Sequence, residues 1–518
     1  MASALTHLWR LGRAGATLAR HHVLDPEQLA DLPLPARWAY RLANLGSASR
    51  NRDLAGALYD LGPSYIKLGQ FLATRPDIVG RERAAELRLL QDKLPPFSME
   101  EAKSAVKAGL GADIETLFVV FGPPVAAASI AQVHRARLAD GRDVAVKVLR
   151  PGIEKRFASD LQSFFFAARL LEAMSAEARR LRPVDALVTL ARSVKIEMDL
   201  RMEAAAISEM ARNIRDDRDF RLPEVEWALT ARRVLTCEWI AGTSLADLER
   251  LRSRGLDLTG IARSVVQNFL RHAIRDGFFH ADMHPGNLFI DEEGRLAGVD
   301  FGIMGRLSPK ERRFLAEILF GFITRDYLRV AQVHFEAGYV PANQDPSTFA
   351  QALRAIGEPI MDRPAHEISM ARLLTQLFEV TGQFDMATQP QLLLLQKTMV
   401  VVEGVARMLD PAFNMWTVSE PVVREWIEAK LGPAGQIEGA AEGAAVIGRL
   451  ISELPEVLAE AQKATHMLAD MANSGGLRLD RETTEALAFA QARRARAGRY
   501  ALVAGAAALV VIALTLLF

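Results

Sequence analysis

Three residues in the second half of the chain stand at a spacing that phosphate chemistry can use. The stretch from Phe279 to Met304 reads FHADMHPGNLFIDEEGRLAGVDFGIM and holds an Asp282-x-x-x-x-Asn287 interval followed by Asp300-Phe301-Gly302. Phosphoryl transfer asks for these types because phosphates are multiply charged. Magnesium ions must be held by an Asp and an Asn, while a second Asp positions or deprotonates the nucleophile. One surface Asp alone would carry no message. The ordered set assigns Asp282 to catalysis and Asn287 and Asp300 to metal binding.

Elements that would position such a site can be sought upstream. Asp143-Val-Ala-Val-Lys147-Val-Leu149 is a short apolar strand with one lysine, the V-A-x-K pattern of the third strand of a kinase. A lysine on a buried strand is costly without an anionic partner. The α/β-phosphates of ATP and a helix-borne Glu could supply one, so Lys147 joins Asp282 as a catalytic and ATP-binding candidate. Ala139-Asp140-Gly141-Arg142 reads as the turn of a hairpin into that strand. Where a glycine-rich phosphate loop would precede it, this chain has Val125-Ala126-Ala127-Ala128-Ser129-Ile130-Ala131-Gln132-Val133. Alanine permits close approach to a nucleotide but forfeits positive φ, so this loop should be stiffer. Downstream, Val234-Leu-Thr-Cys-Glu-Trp-Ile240 resembles the strand entering a kinase hinge, with Glu238 and Ile240 near the adenine. Cys237, the one cysteine, reads as a strand residue rather than a nucleophile, and it excludes an intramolecular disulfide.

The alanine-rich loop, His280-Ala-Asp-Met-His-Pro-Gly-Asn287 and Lys67-Leu-Gly-Gln70 together resemble the UbiB family of atypical kinase-like proteins, over about Asp53 to Arg306. That resemblance implies a role in biosynthesis of ubiquinone and related isoprenoid quinones. It implies ATP and Mg2+ as cofactors, and isoprenoid quinone precursors or quinone-biosynthesis enzymes as partners at a lipid membrane. In the family, the K-x-G-Q helices fold over the place where a protein kinase receives its peptide, with Lys67 and Gln70 reaching toward the nucleotide. The E-x-D motif is Glu197-Met-Asp199, and Glu203 follows one helical turn on. Glu197 is the expected partner of Lys67. Glu203 is the first choice for Lys147 and Glu197 the second.

Length and composition agree. A chain of 518 residues exceeds one ordinary domain, and 50% hydrophobic residues suffice for a large core. Formal net charge is +0, so nothing suggests nucleic-acid binding. Ala501 to Phe518 carries no charge and follows Arg493, Arg494, Arg496 and Arg499. As a helix it would span ~27 Å, near the ~30 Å hydrocarbon core. The expectation is a single-pass anchor in a bacterial inner membrane, with the arginines and the catalytic domain on the cytoplasmic side.

The fold class expected is α+β, an atypical protein-kinase-like bilobal fold with an N-terminal helical K-x-G-Q extension and a C-terminal transmembrane helix. Its segments are an N-terminal helical piece (1–50), the K-x-G-Q region (51–115) and a small lobe with a helical insert (116–240). A helical large lobe (241–435), a linker (436–500) and the span (501–518) follow. Ser98 before Glu100 and Glu101, and Ser308 before Pro309, read as helix starts. Two rival chemistries fare worse. A metal hydrolase built on His280-x-Asp282-x-His284 leaves Lys147, Asn287 and the Asp-Phe-Gly tripeptide without roles. A dinucleotide enzyme lacks its fingerprint, since Gly109-Leu-Gly111 has no third glycine. The expected activity is that of an ATPase or atypical kinase with an unread acceptor. A nucleotide-gated scaffold for isoprenoid quinone precursors is the alternative.

Overall fold

The computed structural model describes residues 4–23, 53–73, 75–87, 94–174, 181–361, 382–386 and 390–431, with single positions at 90, 179 and 380. Met1–Ala429 form one compact unit and Lys430–Phe518 a second. The proposed linker and the span at 501–518 lie outside the described residues. Among the described residues no helix is long and apolar enough to cross a membrane.

The first helix, α1 (Ala4–Arg20), precedes α2 (Leu54–Leu61) and α3 (Pro63–Ala73), which carries Lys67 and Gln70. Residues 94–98 are non-helical, as Pro95 and Pro96 require, and Ser98 then starts α4 (Met99–Leu110). Its hydroxyl accepts from Glu101 N–H while Glu101 reaches back to Ser98 N–H, a reciprocal cap. The same device, Ser308 with Glu311, starts the later helix Pro309–Ile323.

The small lobe is a four-stranded antiparallel sheet. Its strands are β1 (Val120–Ala127), β2 (Ala131–Arg137), β3 (Asp143–Leu149) and β5 (Val234–Glu238), in the order β1-β2-β3-β5. Period-2 alternation sorts its two faces. Val144, Val146 and Val148 of β3 are buried with Ala136, Val234 and Val106 of α4. Lys147 points to the opposite face. The register sets one row across the sheet, Ala126, Val133, Lys147 and Leu235. A bulge between Pro124 and Ala126 leaves Val125 unpaired.

Between β3 and β5 lies the helical insert. It comprises α5 (Ile153–Met174), α6 (Pro183–Glu197) and α7 (Leu200–Asn213), with the short β4 (Phe220–Arg221) after it. The large lobe holds β6 (Gly242–Ser244), α8 (Leu258–Leu270), β7 (Phe278–His280), β8 (Leu288–Asp291), β9 (Leu296–Gly298) and β10 (Met304–Arg306). Strands β4, β9, β8 and β6 form one sheet, and β7 pairs with β10. Gly242 is required where β6 meets β8, because a Cβ there would lie 2.5 Å from the Ile290 carbonyl oxygen. Among the described residues, α9 (Pro309–Ile323), α10 (Tyr327–Glu336), α11 (Pro346–Met361), α12 (Pro390–Leu409) and α13 (Met415–Leu431) follow. Leu395, Val402, Val405 and Ala406 of α12 share one buried core with Val265, Val266 and Phe269 of α8.

Candidate active site

Lys147 is the centre of the site. Its Nζ donates to both oxygens of Glu203 at 2.9 Å and to Asp300 Oδ1 at 2.8 Å. Glu203 is 7% exposed and comes from the first turn of α7, which a second pair, Arg306 to Glu209, ties to β10. Glu203 also accepts a hydrogen bond from the backbone of Phe301. Sheet, helix and Asp-Phe-Gly turn therefore meet at one ammonium. Phe301 is buried and packs against the His280 ring at 4.8 Å, while Asp300 stands at φ +60°. A non-glycine residue in that left-handed region costs of order 1 kcal/mol or more and persists only where its surroundings hold it.

The charges are mutually adjusted. Burial pushes the Glu203 carboxyl up to about 7 against the pull of Lys147. Burial also works against the charge of Asp300, but Lys147 holds that carboxyl well below its ordinary range. For Lys147, desolvation opposes the charge and the two carboxylates more than restore it. Protonation of Glu203 would weaken its hold on Lys147, whereas Asp300 stays ionised. ATP turnover is therefore expected to fall as pH drops through about 7, with the slope of one proton. A pH–rate profile flat from about pH 8 to about pH 6 would overturn that role for Glu203.

The catalytic loop is pinned on every side of Asp282. Ala281 N–H donates to Ile303 O at 3.0 Å, and Asp282 N–H donates to His280 Nδ1 at 3.0 Å. Asn287 Nδ2 donates to Asp282 O at 3.1 Å, which leaves its amide oxygen for a cation. The Thr398 hydroxyl, on α12 and fully buried, reaches Ala281 O at 3.2 Å as well as Leu394 O at 2.8 Å. His280 Nε2 lies 3.2 Å from Val299 O, so Nε2 carries the proton and Nδ1 accepts. Burial lowers its pKa, which keeps the ring neutral. Both ring nitrogens are thus committed to backbone, and His284 Nδ1 accepts from Gly286 N–H. His280, Asp282 and His284 are not a metal-ligand set. The Asp282 carboxylate, 38% exposed, faces outward beside His284 at 3.9 Å. Asp300 and the Asn287 oxygen fit magnesium, which takes one or two protein oxygens and keeps its other positions for phosphate and water.

The hairpin divides the nine residues expected to contact ATP. Ala126 and Val133 lie in the Lys147 row, and Ala131 is buried on that face. Ala127 and Gln132 pair with each other on the opposite face, next to Val148. Gln132 is therefore a correction. It is fully buried, and its amide accepts from Phe97 N–H at 2.8 Å and donates to Phe97 O at 3.3 Å. Strand alternation turns it away from the nucleotide side. Val125 is bulged and exposed, Ser129 and Ile130 are buried, and Ala128 forms the tip with its N–H bonded to Ala131 O.

At the hinge, Glu238 N–H is bonded to Glu224 O and Trp239 N–H to Asp143 O, so neither N–H is open to a ligand. The Glu238 side chain is held by Arg221, which also lies 3.6 Å from Asp291 of the large lobe. Desolvation pushes the Cys237 thiol up to about 12, so it stays protonated.

Lys67 Nζ pairs with Glu197 Oε2 at 2.8 Å, both nearly buried. That removes Glu197 as the second choice for Lys147. Gln70 follows one turn later on α3 and is half-buried. Asp199 caps α7, accepting from Arg201 N–H at 3.2 Å and from its guanidinium at 2.9 and 2.7 Å, a local role. Sequence reasoning missed Thr398, Arg221 and Arg150. Each binds backbone or a distant carboxylate, and such contacts leave no spacing to read.

The ABC1 atypical kinase-like domain model matches residues 89–334, and the UbiB helical domain model matches residues 353–414. A Marinobacter nauticus protein described as a probable protein kinase UbiB is 37% identical across 98% of this chain and 94% of its own length. The chain belongs to the UbiB family. A Pseudomonas aeruginosa relative of the same description is 41% identical over 78% of this chain and 77% of its own. Among solved structures, the erythromycin complex of Rv3197 from Mycobacterium tuberculosis matches with a TM-score of 0.51 and 26% identity. That match covers 75% of this chain and 97% of the other. The UbiB family fold is thus an atypical kinase-like domain of mixed helix and sheet, and the Lys147 cluster lies inside the matched domain.

Proposed function

We propose that this UbiB-family chain binds ATP with magnesium between its lobes and cleaves the γ-phosphate, in support of ubiquinone biosynthesis at a membrane. The observation that carries this is the three-way contact of Lys147 with Glu203 and Asp300. It holds a lysine where α/β-phosphates would lie and an ionised Asp where a cation would be needed. Bound at Asp300 and Asn287, magnesium would neutralise charge on the β- and γ-phosphate oxygens. The chain's own contributions are electrostatic and positional. Lys147 holds the phosphates, Asp282 orients the attacking oxygen and accepts its proton, and Ile240 meets the adenine. Lys67, locked to Glu197, belongs to the helices that would cover the site, which favours water or a small membrane-borne molecule over a peptide as acceptor.

Phosphate release by the purified protein tests the reading, measured with and without liposomes and a phenolic mimic of a quinone precursor. Magnesium-dependent release, raised by either addition, is the expected result. No release under any condition, with ATP still bound, would favour the nucleotide-gated scaffold instead.

Anchoring through Ala501–Phe518 belongs to the same proposal. Removing that segment is expected to yield a protein that binds ATP normally yet fails to restore quinone production in cells lacking the native copy. Isoprenoid precursors partition into the bilayer, so a detached enzyme meets them at far lower effective concentration. An unrelated single span should restore function, and full activity of the tailless chain in cells would show the anchor to be dispensable.

A further inference from the structure

The tip of the β1–β2 hairpin is not free to move over a ligand. In a hairpin of this kind the turn carbonyls ordinarily face water. Here one residue, Arg150, immediately after β3, binds two of them. Its Nε and Nη2 donate to Ala128 O at 3.0 and 2.9 Å, and its backbone N–H donates to Ile130 O at 2.8 Å. The remaining Nη2 hydrogen goes to Pro95 O at 2.8 Å. Prolines 95 and 96 have no N–H, so carbonyls are the only backbone polar groups they offer. The Phe97 ring lies under the guanidinium, 5.6 Å from centroid to Cζ. Gln132 then binds Phe97 through both its N–H and its C=O.

We propose that Arg150 is a positioning residue that pins the hairpin tip to the Pro95–Phe97 segment and so presets the height of the hairpin over the nucleotide. The claim rests on the nucleotide-binding reading above. A glycine-rich loop closes on its ligand and reopens. This hairpin is held from behind by a fork that bridges two carbonyls on separate segments, and the nucleotide must fit the gap it finds. Because the anchor lies between the K-x-G-Q region and α4, movement of that segment would be passed to the phosphate side of the sheet. The planar guanidinium is needed for the bridge. A lysine ammonium has charge and donors but no fixed fork with which to address both carbonyls at once.

Full-length Arg150→Met and Arg150→Lys variants test this, read by amide hydrogen exchange without nucleotide and by dissociation of a fluorescent ADP. Arg150→Met is expected to speed exchange at residues 126–131 at least about tenfold relative to β3, and ADP release at least about fivefold, with Arg150→Lys between it and the wild type. Unchanged hairpin exchange in both variants would overturn the clamp, whatever nucleotide does. Faster exchange with unaltered ADP release would overturn its role in setting the nucleotide gap. If Arg150→Met does not fold, Arg150→Lys alone decides, because it keeps the charge and removes the fork. If the wild-type protein binds no nucleotide while hairpin exchange still rises in the variants, the clamp stands and the proposed function fails.

Discussion

Asp282→Asn is expected to lower ATP turnover by at least about a hundredfold while nucleotide affinity stays within about threefold, because a positioned general base contributes 10²–10⁴-fold to such steps. The structure makes this substitution unusually clean. The carboxylate is partly exposed and has no short hydrogen bond among the described residues, and the loop is held by the backbone of Ala281 and Asp282, by His280 and by Asn287. An amide of the same shape therefore disturbs none of the supports. Steady-state phosphate release together with a direct binding titration checks both halves. Wild-type turnover in the variant would remove Asp282 from the chemistry. Loss of binding with turnover per bound nucleotide intact would reassign it to affinity.

Lys147→Met should be the most disruptive single change in the site. It leaves Glu203 and Asp300 side by side without their cation. For Glu203, 7% exposed, breaking a buried pair by removing one partner costs about 3–5 kcal/mol, since the charge left behind has lost both water and partner, whereas Asp300, 47% exposed, keeps water. The cost should depend on pH in a definite direction. The folded-state pKa of Glu203 is already raised to about 7 with the lysine present, and without it the carboxyl moves higher still. A carboxyl raised above its unfolded value stabilises the fold while protonated, and loses that contribution as pH rises through the folded value. The deficit of the variant should therefore widen between about pH 5 and about pH 9 and narrow on acidification. Urea midpoints at the two ends of that range measure it. A deficit independent of pH would mean that packing, not charge, is what Lys147 supplies.

How much of this was readable beforehand depends on what each residue binds. The meeting of Lys147 with Asp300, and of Asn287 with the Asp282 carbonyl, is legible because the kinase-like spacing implies those neighbours. Ser98 and Ser308 are legible because helix starts are a local matter, settled within four residues. Gln132 misleads because its place in an alanine-rich string says nothing about which face of β2 it occupies. That depends on the pairing of β2 with β3, which sets Gln132 beside Val148 and Val133 beside Lys147. The Glu238 N–H is taken by the carbonyl of Glu224, a contact that no spacing announces. Arg150 and Thr398 are invisible for a deeper reason. They recognise carbonyl oxygens, which every residue has, so their partners have no signature.

The buried hydroxyl of Thr398 also bears on where this protein can be cut or recombined. The helix that carries it falls in the stretch matched as a helical domain, separate from the kinase-like match, yet it touches the backbone one residue before Asp282 and fills the core behind α8. The two matched stretches are therefore not interchangeable parts. A chimera that keeps residues 89–334 and takes its helical portion from a distant relative would preserve Lys147, Glu203, Asp282, Asn287 and Asp300, and still inherit a foreign floor beneath residues 280–287.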